Sequence, residues 1–552
     1  MTDPSADATG PEATSADAAN ADATSVPVPD DALEEKPRAT PGTIGALIDA
    51  IGPPELVLIG VLVVWSWVFI RLPKLRFDRH GTFGFDLGIY DQGVWLLSRF
   101  KDPFVTIRGL ELFGHHANLI LLLLVPFYWL GAGPVFLLVV QVLAQASGAL
   151  ALYLLARDLL KSRWAGVGIA TAFCLNPTNQ WLTWEFFHPD AVAIGPLLFA
   201  YWAARTKRWT VFWIALALAL ACKEDAALSL AILGVVLALR GERRRGLIVA
   251  VISTAWFFFA TRVLIPFENG VGPFYDTFFG TLGSTPTAVV FNSVRHPTET
   301  WRLASAGDAK AWYWKMWAPW ALTPLFDLRA LAYAAPMIVI DALSSFPYTR
   351  NYQLHYSALV LVGSAVATVE AIGWISSRAK STPDTRNGLV VVVLVAALLC
   401  SVSWGASPIA RNYHSGTWPL LPDQRGPAKD EAIRKLPSQA SVSAAYDLDT
   451  HLTHRPKVYE FPVPWCNINW GVNGEHLDNP DQVQWLLLDR DLVTSPRDKA
   501  LLADLLAHEF RIRFEQDDIV LAQRVAPPAT PARGNPPSGQ CFARPSIDHL
   551  AS

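Results

Sequence analysis

The chain has 552 residues, 52% of them hydrophobic, and a formal net charge of −3. Its apolar residues are not spread as in a soluble enzyme. They are gathered into runs near the length of about 20 residues that crosses a bilayer, as in LVLIGVLVVWSWVFI (56–70) and GLVVVVLVAALLCSVSW (388–404). This excludes a soluble globular enzyme and implies an α-helical polytopic membrane protein. With no P-loop and no G-x-G-x-x-G, neither nucleotide nor nucleic acid is expected as a partner.

Residues 1–50 begin with an acid-rich stretch full of Ala, Ser, Thr and Pro, which cannot bury enough apolar surface to fold. They are expected to form a disordered cytoplasmic tail. The basic n-region of a cleaved signal peptide is missing, so the first apolar run stays as an anchor. Four basic islands follow: RDLLKSR (157–163), RTKR (205–208), RGERRR (240–245) and SSRAKSTPDTR (376–386). Under the positive-inside rule all four face the cytoplasm.

About eleven spans satisfy every island, at 54–71, 134–156, 164–182, 190–204, 209–222, 225–240, 246–266, 312–326, 330–346, 355–375 and 387–404. The protein then sits in the plasma membrane with its amino end cytoplasmic and its carboxyl end extracytoplasmic. Residues 51–404 form the transmembrane domain, with outer loops at 72–133 and 267–311. Arg71, Lys74, Arg76 and Arg79 fall outside against the rule, as if kept for an anionic ligand. The run 118–131 is short, contains Pro126, and would invert 157–163 if it crossed; it is expected to lie at the outer interface. One helix over 212–240 would be roughly 43 Å long, too long for one span. Two helices meeting at Lys223, Glu224 and Asp225 keep RGERRR inside and sink a charged turn below the outer surface. Charges at that depth cost roughly 2.5–3.5 kcal/mol each and need protein or a water-filled cavity around them, so a polar outward cavity is expected there. Trp312, Trp314, Trp317 and Trp320 suit an interfacial belt.

Residues 405–552 mix strand-like and helix-like stretches and are expected to form an extracytoplasmic α/β domain with a flexible tail. Of five cysteines, Cys174, Cys222 and Cys400 lie in apolar runs as packing residues. Cys466 and Cys541 could form a disulfide in an oxidising compartment.

The unusual polar residues converge on the outer side. The stretch FDLGIYDQGVW (85–95) carries Asp86, Tyr90, Asp91 and Gln92; His115 and His116 end the same loop. Glu185, His188 and Asp190 lie in EFFHPD, and Lys223, Glu224 and Asp225 form the sunken turn. Arg262 lies near the outer end of its span, while Arg350, Tyr352, His355 and Tyr356 precede the tenth. Such a mixture suits a charged, partly sugar-like ligand. Each residue also has a plainer role open to it. Asp86 can N-cap the helix beginning at Leu87, His188-Pro189 can shape a turn, Lys223 can form a structural ion pair, and the paired histidines can be interfacial. Asp91 lies roughly 140° around a helix from Asp86, which argues against a carboxylate dyad. HHAN lacks metal-ligand spacing, so no metal ligands are assigned; no cofactor is required, and a divalent cation is left open.

At FDLGIYDQGVW, GHHANLILLLLVPFYWLG, ALYLLARDLL, FHPDAVAIGPLLFA, KEDAAL and HYSA, the chain resembles a prokaryotic membrane family catalogued as domain of unknown function 2079. The likeness runs from about residue 60 to 375. That family is in turn remotely similar to the GT-C glycosyltransferases, which use polyprenyl-phosphate sugars. The resemblance implies a GT-C-like fold and a first-loop acid acting as general base. It puts Asp86 in that role, because D-x-x-x-Y (Asp86, Tyr90) resembles the D-E-x-x-Y of many relatives, although Leu87 replaces the second acid. Asp91 is the second catalytic candidate. Lys223 matches the cation of the T-K-x-P turn, here C-K-E-D; Arg262 and His188 would help bind phosphate or sugar. The implied function is inverting sugar transfer from a polyprenyl-phosphate donor on the outer face, with bilayer and donor as partners. The alternatives are a non-catalytic binder or translocator of a lipid-linked or anionic molecule, and a membrane scaffold.

Overall fold

The first apolar run forms a helix over Pro53–Asp78, opened by prolines whose missing N–H would have no partner there anyway. The computed structural model describes residues 51–466 and 474–526; the acid-rich tail and the C-terminal tail of the sequence lie outside them. Among the described residues, five helices are long and apolar enough to cross a membrane: Pro53–Asp78, Pro134–Leu160, Arg243–Asn269, His355–Ser376 and Thr382–Trp404. Arg163–Leu175, Trp209–Cys222 and Ala226–Leu239 are shorter apolar helices. His355–Ser376 is largely buried. Peripheral helices instead expose Leu56, Val64, Trp67, Val251, Val391 and Leu399. An all-apolar exposed face of this kind fits hydrocarbon rather than water.

Small residues bring the helices together. A Cβ on Gly195 would stand 2.8 Å from the Ala144 carbonyl of Pro134–Leu160. One on Gly234 would stand 2.5 Å from the Ala250 nitrogen and 2.7 Å from the Gly246 carbonyl, backbone atoms that cannot turn aside. We therefore expect Gly234→Ala to cost about 1–3 kcal/mol of stability, read as a lower unfolding temperature in detergent; an unchanged midpoint would contradict this packing.

The helix order collects the basic islands at one end of the bundle. Arg163 reaches Glu55 at 2.9 Å, Arg205 and Arg240 both reach Glu370, and Arg386 donates to the Leu160 carbonyl. The turn at Lys223, Glu224 and Asp225, between Trp209–Cys222 and Ala226–Leu239, lies at the opposite end.

Three stretches differ from continuous spans. Residues 164–182 break at Asn176, whose side chain caps Pro177–Trp184. Residues 312–326 are divided among the end of the helix Ala309–Trp317 and two 3-10 turns flanking Ala321 and Leu322, both at positive φ. Residues 330–346 divide into Leu328–Leu331, Ala332–Ala334 and Ala335–Leu343. Pro319, Pro324 and Pro336 each remove an N–H that a continuous helix would use. Trp312 and Trp320 are core residues rather than an interfacial belt, and Trp312 donates its indole N–H to the Ser357 hydroxyl. Residues 118–131 form a 3-10 turn, Leu119–Leu123, and a short helix, Val125–Trp129, exposing Leu122, Leu123, Phe127 and Trp129.

The segment after the first helix contains the helix Ile89–Ser98 and a small antiparallel pair, β1 (Phe104–Val105) and β2 (Leu110–Glu111). Beyond Trp404 the chain builds a five-stranded mixed sheet. It comprises β3 (Val442–Ala444), β4 (Val458–Glu460), β5 (Trp485–Asp489), β6 (Phe510–Gln516) and β7 (Ile519–Arg524), in the order β4-β3-β5-β7-β6. Strand β3 is parallel to β4 and β5, while β7 is antiparallel to β5 and β6. Alternation gives the sheet two apolar faces. Leu486, Leu488 and Val520 meet the helix Pro496–His508, whereas Val442, Leu487 and Leu521 join the core shared with the bundle. Thr106 bonds both backbone groups of Val458 on edge strand β4, and Thr82 meets Thr450 at 2.7 Å. Cys466 is disulfide-bonded and the other three described cysteines are free; Cys541 lies outside the described residues.

Candidate functional site

Asp86 occupies a backbone conformation that L-residues rarely adopt, with φ 66° and ψ −86°. This is the positive-φ γ-turn, which costs about 1–3 kcal/mol and persists only where its surroundings enforce it. The enforcement is visible on both sides. Gly84 donates its N–H to the Tyr446 carbonyl at 3.0 Å and has no room for a side chain, because a Cβ would lie 2.6 Å from Asp449. Leu87 is fully buried. The Asp86 carboxylate caps no helix; its Oδ1 lies 3.3 Å from His188 Nε2, and the side chain is 31% exposed. The plain N-cap role is therefore not the one that the structure gives it.

Asp86 opens onto a cavity of about 900 Å3. Of the residues singled out in the sequence, Tyr90, His115, His116, Glu185, His188, Asp190, Lys223 and His355 line the same space. They arrive from four separate segments. Gln141, on Pro134–Leu160, shapes the second of these: it donates to the Leu182 and Phe186 carbonyls and accepts from the His188 N–H at 2.7 Å. That turn places Glu185 Oε1 2.7 Å from His355 Nδ1 and stacks the His188 and His355 rings, 3.9 Å apart and 15° from parallel. One ligand-type atom from each of Glu185, His188 and His355 lies within 4.8 Å of the others. Burial, with Asp86 and Asp190 adding to it, holds the Glu185 carboxyl well above the usual range. Lys223 Nζ is 3.0 Å from Asp190 and 3.6 Å from Asp225.

Several predicted site residues do other work. Asp91 is fully buried away from the cavity, accepting from Tyr128 and Thr453, with His454 Nε2 at 3.2 Å. It fastens the first loop to the segment before β4 and is withdrawn as a catalytic candidate. Gln92 is equally internal, donating to Thr106 at 3.0 Å. Glu224 sits behind the wall, receiving the Ala117 N–H and the Tyr275 hydroxyl and meeting His116 at 2.7 Å. Asp225 lies 3.6 Å from Lys223 and does not line the cavity. Arg262 does not itself line the cavity but pairs with Asp276, which does, and Tyr352 receives Lys315 and donates to the Trp404 carbonyl. The cations expected to await an anion are committed too. Lys74 pairs with Asp78, Arg79 donates to the Pro419 carbonyl, and Arg76 is buried against Trp184 and Phe186. Arg71 does not line the cavity.

We expect Asp91→Ala to cost about 3–5 kcal/mol of stability, because it leaves buried Tyr128 and Thr453, and the partly exposed His454, facing a gap. Unfolding in detergent will read this, and a change within error would contradict the structural role.

Sequence reasoning missed the aromatic walls (Phe83, Phe85, Trp184, Phe278, Phe346 and Tyr348) and also Arg108. Arg108 is buried, carries the cavity's second formal positive charge beside Lys223, and is paired with Glu475. Phe85 opens the FDLGIYDQGVW stretch, but the other walls come from distant loops and no local motif marks them or Arg108.

A family model described as Predicted membrane protein (DUF2079) matches residues 79–521. Among solved structures, the chain is similar to the crystal structure of ArnT from Cupriavidus metallidurans bound to undecaprenyl phosphate. The identity is 16% and the TM-score 0.47, covering 88% of this chain and 99% of that one. No curated protein matches.

Proposed function

The chain belongs to the DUF2079 family of predicted membrane proteins, and we propose that its cavity transfers a sugar from a polyprenyl-phosphate donor to an acceptor hydroxyl. The observation that carries this reading is Asp86, a carboxylate presented to the cavity by an enforced, strained turn. The motif resemblance at Asp86 and Tyr90 selects the same residue.

In the proposed reaction the acceptor oxygen attacks the anomeric carbon of the donor. The bond from that carbon to the phosphate oxygen breaks, Asp86 takes the acceptor proton, and polyprenyl phosphate leaves. Lys223 supports the departing phosphate, and the aromatic walls suit the apolar faces of a sugar or a prenyl chain. Inversion is the expectation of the GT-C resemblance.

The cavity end is assigned to the outer face. The basic islands gathered at the opposite end favour a cytoplasmic position there, and the disulfide at Cys466 fits an oxidising compartment. The test is release of free polyprenyl phosphate when purified protein meets a lipid-phosphate sugar and an acceptor. Donor binding without release would favour a non-catalytic binder or translocator and sink the transfer reading.

A further inference from the structure

We infer that Glu185, His188 and His355 form a binding site for a divalent d-block cation, with Asp86 as a further ligand. The inference goes beyond the transfer reading and stands on geometry alone. Three polar groups from two distant segments converge on one point of the cavity wall, and hydrogen bonds leave them unsatisfied. Glu185 uses Oε1 on His355, while its buried Oε2 has no partner; both ring nitrogens of buried His188 also lack a hydrogen bond. Buried polar atoms are rarely left so, because each carries the cost of its lost water. A cation at their centre would satisfy them together.

The spacing suits such an ion. Ligands about 2.1 Å from a tetrahedral metal stand about 3.4 Å from one another. Glu185 and His355 stand 2.7 Å apart, His188 and Asp86 stand 3.3 Å apart, and one ligand-type atom from each of the trio lies within 4.8 Å of the others, close enough to share one ion. Two imidazoles with carboxylate oxygen favour zinc, manganese or cobalt over magnesium and calcium, which prefer all-oxygen shells.

The charge around the cavity supplies the reason for an ion. Lys223 is held between Asp190 and Asp225, and Arg108 is paired with Glu475, so both formal cations of the wall face carboxylates. Asp86 adds a further carboxylate, beside His188. A divalent cation at the histidines would place positive charge where an anionic oxygen of a ligand can reach it.

The test uses the full-length protein in detergent, stripped with chelator and reloaded with zinc, manganese, cobalt or magnesium separately. We expect uptake of about one zinc or manganese ion per chain by elemental analysis, a raised unfolding temperature with those ions but not with magnesium, and visible d–d bands from bound cobalt. His188→Ala and, as a milder change, His355→Gln should each weaken binding by at least about tenfold. Reloaded protein without bound metal would overturn the inference, as would variants that bind as tightly as wild type. Metal content is read without turnover, so the loss of this site would leave the sugar-transfer reading to its own assay.

Discussion

Replacing Asp86 with Asn should lower sugar transfer by roughly 10²–10⁴-fold, the range typical of removing a positioned general base. The substitution is nearly isosteric and isolates the proton-accepting role. Asn tolerates positive φ at least as well as Asp, so the γ-turn at φ 66° should survive. Unfolding temperature should therefore change little. Asp86→Ala would be a poorer experiment, because it also removes the polar atom beside His188.

The kinetic signature sharpens the result. A base acts in the transition state, so kcat and kcat/KM should fall together while donor affinity holds. A rise in KM at unchanged kcat would instead make Asp86 a binding residue. Undiminished release of polyprenyl phosphate would remove it from the chemistry. Because Asp86 also belongs to the inferred metal site, metal content of the Asn variant should be measured beside its turnover. Full metal with lost transfer isolates the base role.

Much of the bundle was legible because membrane insertion imposes simple rules on sequence. Long apolar runs mark helices, and the islands at 157–163, 205–208, 240–245 and 376–386 require alternation that brings them to one end. The same constraint divides 212–240 at Lys223, where the helices Trp209–Cys222 and Ala226–Leu239 do meet. Hydropathy was a poorer guide over 312–346, since it reads apolar content but not the backbone donors lost at Pro319, Pro324 and Pro336. It also cannot separate a tryptophan at the lipid interface from one in a core, and Trp312 and Trp320 are core residues.

Within the site, local pattern pointed to the right loops but could not assign every side chain. Asp86 and Asp91 do part, though not by the helical angle: Asp86 stands in a γ-turn before the helix Ile89–Ser98 and faces the cavity, whereas Asp91 meets Tyr128 and Thr453. Long-range pairings had no local signature. Glu185 meets His355 across 170 positions, and Arg108 meets Glu475 across 367. Spacing rules for metal ligands detect sites built on one segment, so a trio drawn from two segments passed unseen.

Lys223→Met should cost about 3–5 kcal/mol of stability, the cost of breaking a buried ion pair by removing one partner. Lys223 and Asp190 are both nearly fully buried, and Asp225 lies within reach of the same ammonium. Without Lys223, two carboxylates face each other with no cation between them. The expected outcome is low yield and an early unfolding transition. Coupling Lys223→Met with Asp190→Asn removes the uncompensated charge and should recover most of the loss, giving a clearly non-additive pair. Function should respond differently. If Lys223 also holds donor phosphate, the double variant will fold yet bind the lipid-phosphate sugar weakly. Recovery of donor affinity along with stability would confine Lys223 to an architectural role and leave phosphate recognition to other groups of the cavity. A single variant as stable as wild type would show that the buried pair contributes nothing to the fold.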